Sequence, residues 1–459
     1  MNLEVIHIYH INDLHSHFEH WPRMQHFLAE RRKWHIEAGE EFLLFDIGDH
    51  ADRSHPLTEA THGKGNVQLL NEAGFQAVTI GNNEGITFPY DDLDHLYDQR
   101  QFDVLVANLA YKDGQRPGWL KEHAIYETKK GMKIGLTGLT ANYAHLYDLL
   151  GWQTHDPFEA LKQQISLLKG KTDMIILLSH LGIHDDERIG EEFPEINVVI
   201  GGHTHHILHE GKLAGNTLLA CAGKYGMYVG HIRLMVDTAT GRIVEQKAWL
   251  YDTNDLSPVE DEEEKVNQLY KWGKDILSAD AVATDCAEIS KKDLALVLCK
   301  AIQDWCHADC AFINEGLILE GLSGGKVTRY DLLKLCPHPI NPAVVELTGA
   351  ELKEVLVQTM DEKWKDLQIF GLGFRGKIMG KIVYSGIDVK KEHDYHHFFI
   401  HGQLIDSDRT YKLAIPDMFT FGRFFPSIFR AKNKHYFLPE FLRHVLEWRI
   451  GEMEKQIVN

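Results

Sequence analysis

VIHIYHINDLHSH, residues 5–17, begins as an apolar, β-branched run and ends in a cluster of polar donors. A strand that delivers Asp13 and His15 at its carboxyl end matches the way open α/β sheets build their sites. The same grammar recurs in EFLLFDIGD (41–49), FQAVTIGNN (75–83), FDVLVAN (102–108), KIGLTGLT (133–140), DMIILLSH (173–180), INVVIGGH (196–203) and NTLLACAGK (216–224). Nearly continuous apolar strands separated by amphipathic segments such as 157–169 predict α/β layers with buried strands over residues 1–255.

The pattern changes after that. LSPVEDEEEKVNQLYKWGKDILSAD (256–280) opens acidic and continues at helical spacing, predicting a helical connector. Residues 281–459 read as a second, α+β domain: helix 293–305, strand CAFIN (310–314), helix TRYDLLKLC (328–336), strand PAVVEL (342–347) and helix TGAELKEVLVQTM (348–360). With 459 residues, two domains are expected. A net charge of −19 repels phosphate polymers and argues against a nucleic acid partner. No run approaches the roughly 18 apolar residues of a membrane span, and the N-terminus lacks a basic–apolar export signal, so a cytoplasmic protein is expected. The six cysteines form no CxxC pair and are expected to be reduced thiols. Nothing here fixes an oligomeric state.

The compositional oddity is 29 histidines. Asp13-x-His15 and His203-x-His205 each place two donors on one side of an extended chain, because side chains alternate with a period of two. Asp49, Asn82 and His180 sit at the ends of three other strands. Asp49 can face two ions with its two oxygens, and mixed imidazole, carboxylate and amide donors suit Mn, Zn, Fe or Co better than calcium. Each short motif is weak alone; the ordered set is much more specific.

HINDLHSH, DIGD, TIGNNE, LSHLG and VIGGHTHH resemble, in order and spacing, the calcineurin-like metallophosphoesterases of the 5'-nucleotidase family. VTRYDLLKLCPHPINPAVVELTGAELKEVL resembles that family's C-terminal domain. The resemblance implies a four-layer α/β/β/α sandwich followed by an α+β substrate-binding domain, with the site between domains. It assigns Asp13, His15, Asp49 and His205 to one divalent ion and Asp49, Asn82, His180 and His203 to a second, manganese favoured. The implied reaction is direct attack of water on a phosphate ester or anhydride of a small nucleotide-like substrate, in nucleotide catabolism. A nucleotide-sugar pyrophosphatase, a cyclic phosphodiesterase, and a nucleotide-binding protein with vestigial catalysis are the alternatives.

The chain departs from the family pattern at GNNEGITF (81–88). The family has Gly-Asn-His-Glu-Phe-Asp there, with the His on the transferring phosphoryl group and the Asp orienting it; this chain has Asn83 and Ile86. Loss of such a group costs roughly 10²–10⁴-fold. Three compensations are open: cations of the 50–66 loop (His50, Arg53, His55, His62, Lys64) substitute, Asn83 donates to a substrate with a good leaving group, or turnover is lost. In the second domain the family's Gly-rich arginine turn aligns with residues 312–318 and its arginine is missing. Asn314 falls in that turn; Phe374 and Phe424 are candidates for the base-stacking pair, and Arg375 and Arg423 for the phosphate-pairing cation.

Overall fold

The computed structural model describes every residue except Met1, Asp394, Arg423 and Asn459. Contacts divide the chain into two units, residues 1–273 and 274–459, and the division falls inside the helix Glu262–Leu277.

Two sheets make the first unit. The seven-stranded sheet runs Arg242–Asp252, Tyr228–Asp237, Leu3–Ile11, Glu41–Asp46, Ala77–Val78, Asp103–Leu105 and Leu120–Lys121. The six-stranded sheet runs Lys212–Ala214, Thr217–Ala220, Val198–Gly201, Met174–His180, Lys133–Thr140 and His123–Glu127. Period-two alternation decides what faces what. Ile6, Ile8, Leu43 and Phe45 of one sheet pack against Ile134, Leu136, Ile176 and Leu178 of the other. The intervening Ile175 and Leu177 turn outward onto Leu161 and Ile165 of the helix Pro157–Leu168 and Ile189 of Ile183–Glu192. The helix Trp21–Glu37 covers the opposite outer face, so the unit is an α/β/β/α sandwich.

Under that helix lies a histidine group that no strand-end motif announced. Tyr9 Oη meets His35 Nε2 at 3.1 Å, His35 Nδ1 meets Glu40 at 2.9 Å, and His7 Nε2 lies 3.1 Å from the same oxygen. His7 Nδ1 then meets His231 Nε2 at 2.8 Å, and His231 Nδ1 meets Tyr251 at 3.4 Å. The chain of contacts closes with each ring offering one N–H and one lone pair. Burial pushes His7 down to about 4 and His231 to about 2, in keeping with neutral rings. These histidines are hydrogen-bonded packing.

The second unit is built on a five-stranded sheet ordered Ile382–Ser385, Cys310–Asn314, Thr410–Pro416, Pro342–Thr348 and Lys434–Tyr436. Helices Lys291–Trp305, Gly349–Thr359 and Leu442–Val458 accompany it, and the core includes Leu298, Ile302, Phe312, Val345, Leu352 and Leu446. The starts of two helices are written locally. Thr328 with Asp331 and Thr348 with Glu351 form reciprocal capping boxes that satisfy otherwise orphaned backbone N–H groups. All six cysteines are free thiols.

Candidate metal centre

The strand ends converge. Asp13 and His15 follow Leu3–Ile11, Asp49 follows Glu41–Asp46, and Asn82 follows Ala77–Val78; His180 ends Met174–His180, and His203 and His205 follow Val198–Gly201. Each sheet therefore contributes donors. Asp13, His15, Asp49, His203 and His205 all have positive φ, between 49° and 70°. A non-glycine residue in that region is uncommon, and its clustering at one place marks a functional turn. Two glycines let the loops touch. A Cβ on Gly48 would lie 2.3 Å from the Gly81 nitrogen, and one on Gly81 would lie 2.0 Å from Asp49 Oδ1.

Two overlapping donor groups result, Asp13–His15–His205 and Asp13–Asp49–His180. His15 Nε2 lies 3.3 Å from His205 Nε2, 3.8 Å from Asp13 Oδ1 and 3.7 Å from Asp49 Oδ2. His205 Nε2 is 3.4 Å from Asp13 Oδ1, and His180 Nε2 is 3.5 Å from Asp49 Oδ2. Asp49 thus faces an imidazole of each group. Asp13, Asp49 and His180 are 2% exposed or less. Burial opposes the charge on His180, but the Asp49 and Asp13 carboxylates outweigh it and hold the ring up to about 10: this spot draws positive charge.

The donors also fit divalent ions in their loose ends. Asn82 Oδ1 is buried without a hydrogen-bond partner, although such atoms are normally satisfied, and His180 Nε2 has only the Asp49 and Asp13 carboxylates, at 3.5 and 3.9 Å. Each is a good N or O ligand for a transition ion. From behind, the rings are held: His180 Nδ1 meets the Ile47 carbonyl at 2.6 Å, His15 Nδ1 meets the Asn83 amide at 2.7 Å, and His203 Nε2 meets Tyr143 Oη at 3.4 Å. The His203 backbone N–H donates to Asp13 Oδ2 at 3.0 Å.

Two further residues shape the centre. Buried Glu84 accepts from the backbone N–H groups of Asp49, Ala51 and Gly81 at 2.8–2.9 Å, tying the two loops together. Asn12 donates to Asp13 Oδ2 at 2.8 Å and to the Gly223 carbonyl at 2.7 Å. Both stand beside recognised donors in TIGNNE and HINDLH, and adjacency was the signal available for them.

Sequence profiles of two families match the chain: calcineurin-like phosphoesterase over residues 6–206 and 5'-nucleotidase, C-terminal domain, over residues 276–423. YunD, an uncharacterized metallophosphoesterase of Bacillus subtilis (strain 168), is 43% identical over 461 residues, covering 98% of this chain and 100% of its own. The chain belongs to the 5'-nucleotidase family of calcineurin-like metallophosphoesterases. This metallophosphoesterase is therefore a phosphoester hydrolase, and its fold implies divalent metal ions. The 5'-nucleotidase of Vibrio cholerae is 23% identical over 76% of this chain and 74% of its own. Among solved structures, a putative 5'-nucleotidase from Staphylococcus aureus in complex with alpha-ketoglutarate shares the fold with a TM-score of 0.69 at 17% identity, covering 97% of this chain and 96% of that one. The NAD nucleotidase of Haemophilus influenzae does so at 0.66 and 16%, covering 99% and 97%.

Around the metallophosphoesterase centre, four of the five 50–66 cations are engaged with protein groups. Arg53 is 5% exposed and donates to both Glu59 oxygens, at 2.7 and 3.1 Å, and to the Thr87 carbonyl. His55 caps the helix Pro56–Ala60 through Nδ1, packs edge-on against Phe18 and Tyr270, and is pushed by burial down to about 4. His50 is buried against Trp21 and Asn66. His62, exposed, pairs with Asp92 at 2.7 Å; Lys64 is exposed.

In the second unit, Phe374 is 4% exposed and stacks on His338 with centroids 4.9 Å apart and planes at 3°. Phe424 is half-buried, edge-on to Phe419. Arg375 donates its backbone N–H to His338 Nδ1, and Asn314 is buried, donating to the Met379 carbonyl. Arg423 lies outside the described residues. No helix among the described residues is long and apolar enough to cross a membrane.

Proposed function

We propose that the protein hydrolyses a phosphate ester or anhydride of a nucleotide at a two-ion centre, with manganese the favoured metal. Asp13, His15, Asp49 and His205 would hold one ion, and Asp49, Asn82, His180 and His203 the other. The observation that carries this reading is the convergence of Asp13, His15, Asp49, His180 and His205 in two overlapping donor groups that share Asp13. When bound, such ions supply Lewis acidity toward phosphoryl oxygens and lower the pKa of water. The chain's own part is to fix the donors. Glu84 sets the Asp49 and Gly81 loops, Asn12 sets Asp13, and partners behind the rings set the imidazoles.

Where the histidine of the 81–88 loop is missing, the contacts of Arg53, His50, His55 and His62 favour compensation by the substrate over compensation by those four side chains. A diphosphate leaves well without a proton donor, so a nucleotide anhydride is the preferred class. Phe424, with the more exposed Phe370, offers aromatic faces for the organic part, whereas His338 closes one face of Phe374 and Tyr436 one face of Phe421.

Purified protein with Mn²⁺, assayed on a nucleoside monophosphate, a nucleotide sugar and a chromogenic phosphate diester, tests this. The expected result is a kcat/KM for the anhydride about 10²-fold or more above the monoester, in the range that loss of an acid–base group allows. Asp49→Ala should abolish all turnover. Equal rates on anhydride and monoester would overturn the leaving-group reading. Turnover no greater than that of Asp49→Ala would leave a nucleotide-binding protein.

A further inference from the structure

His15 and His180 each have one nitrogen turned to the carboxylates and a second held from behind. For His15 the holder is Asn83, whose side-chain Nδ2 lies 2.7 Å from Nδ1, while Nε2 faces Asp13, Asp49 and His205. Asn83 is 7% exposed, and its amide also lies 3.2 Å from the Ala51 carbonyl. Its backbone N–H donates to Asp49 Oδ1 at 2.7 Å. One residue thus grips the shared carboxylate with its main chain and the imidazole with its side chain. Substitution at 83 removes the second grip and keeps the first.

We propose that Asn83 is a positioning residue: it orients His15 for metal binding and is not the remnant of a substrate-contacting histidine. This rests on the two-ion reading above. An imidazole that offers Nε2 to an ion carries its proton on Nδ1 and needs an acceptor there. The amide turns Nδ2 to His15 Nδ1 and to the Ala51 carbonyl; a half-turn about the Cβ–Cγ axis presents its oxygen to the Nδ1 proton instead, giving up the longer contact to Ala51. Asp52 Oδ2, 3.6 Å from the same Nδ1, adds acceptor character to that side of the ring. The 81–88 loop has therefore been reassigned. Asn82 offers a ligand and Asn83 sets a neighbouring ligand.

Calorimetric titration with Mn²⁺, paired with the electron paramagnetic resonance spectrum of bound Mn²⁺, tests the role without relying on turnover. Second-layer partners of metal ligands are worth roughly 10–100-fold in affinity. Asn83→Leu, which keeps size and loses the acceptor, should weaken Mn²⁺ binding by about that factor and change the spectrum. Asn83→Asp, which keeps the acceptor, should bind within about threefold of wild type. Asn83→His should not speed turnover, because its side chain takes the space beside His15. The metal-free melting temperature of each variant checks folding, and the Asn83→Asp comparison stays decisive if Asn83→Leu folds poorly. Wild-type affinity in Asn83→Leu, or equally weak binding in Asn83→Asp and Asn83→Leu, would overturn the proposal; so would faster turnover with unchanged metal affinity in Asn83→His. Mn²⁺ binding unchanged in Asp49→Ala would overturn the two-ion reading beneath it.

Discussion

At the scale of single residues, the centre depends on side chains whose second atom is as constrained as their first. Tyr143 belongs to this group: its hydroxyl lies 3.4 Å from His203 Nε2, and burial together with the Asp49 charge raises its pKa, so it stays a neutral phenol at ordinary pH. Removing that oxygen in Tyr143→Phe should leave the fold intact, because the residue is 38% exposed. Metal affinity should fall by about tenfold, the low end of the effect of such partners. Mn²⁺ titration checks this, and unchanged affinity would mean that His203 is oriented by packing alone. Such partners were poorly legible in the sequence. Asp13, His15, Asp49, His180, His203 and His205 stand out because strand ends and period-two spacing are local signals. Asn83 meets His15 across 68 residues of chain and Tyr143 meets His203 across 60, and no short motif encodes a meeting of that kind. Arg53 misleads for the same reason: in sequence it is a cation next to a metal loop, and in space its guanidinium faces Glu59 and Thr87.

At the scale of elements, Gly85 shows how the atypical loop shapes its neighbours. It lies within the short helix Asn82–Thr87, where alanine is intrinsically better than glycine by about 1 kcal/mol. A Cβ there, however, would come 1.8 Å from the Tyr147 hydroxyl, on a fully buried ring of the helix Ala144–Leu149. Overpacking of this kind typically costs 1–3 kcal/mol, so the clash outweighs the helical gain. Gly85→Ala alone should therefore destabilise the protein by about 1 kcal/mol or more. The double variant with Tyr147→Phe removes the oxygen but keeps ring carbons 2.5 and 2.9 Å from that Cβ, so it should recover only part of that loss. Denaturant melts of the four-member cycle give the coupling energy, and simple additivity would show that Tyr147 is not what holds position 85 as glycine. Helix starts were the easiest elements to read, since Thr328 and Thr348 announce theirs three residues ahead of an acidic partner. The docking of 144–149 onto 82–87 was not readable, because an absent side chain leaves no pattern.

At the scale of the whole molecule, the alternation that made the strands legible also explains why metal should act on one unit only. Asp13, His15, Asp49 and Asn82 hang from the seven-stranded sheet, and His180, His203 and His205 from the six-stranded one. Ions held by both sets would tie the carboxyl ends of the two sheets together. The second unit has its own continuous core around Leu298, Phe312 and Leu352 and contributes none of these seven donors. Binding that is confined to the native state stabilises by RT ln(1 + [L]/Kd), about 2.7 kcal/mol at a free ion concentration 100 times Kd. For a unit of this size that corresponds to roughly 5–10 °C in melting temperature. Mn²⁺ should therefore raise the unfolding transition of residues 1–273 relative to a chelator-treated sample, with hydrogen exchange slowing at the strand ends around 13, 49, 180 and 203. Peptides from 274–459 should exchange at the same rate in both samples. Asp49→Ala removes the residue shared by both proposed ion sites and should lose the shift, read against that variant's own metal-free melting temperature. The same Mn²⁺-induced shift in Asp49→Ala, or protection spread evenly over both units, would place the stabilising ion elsewhere than at the convergent strand ends.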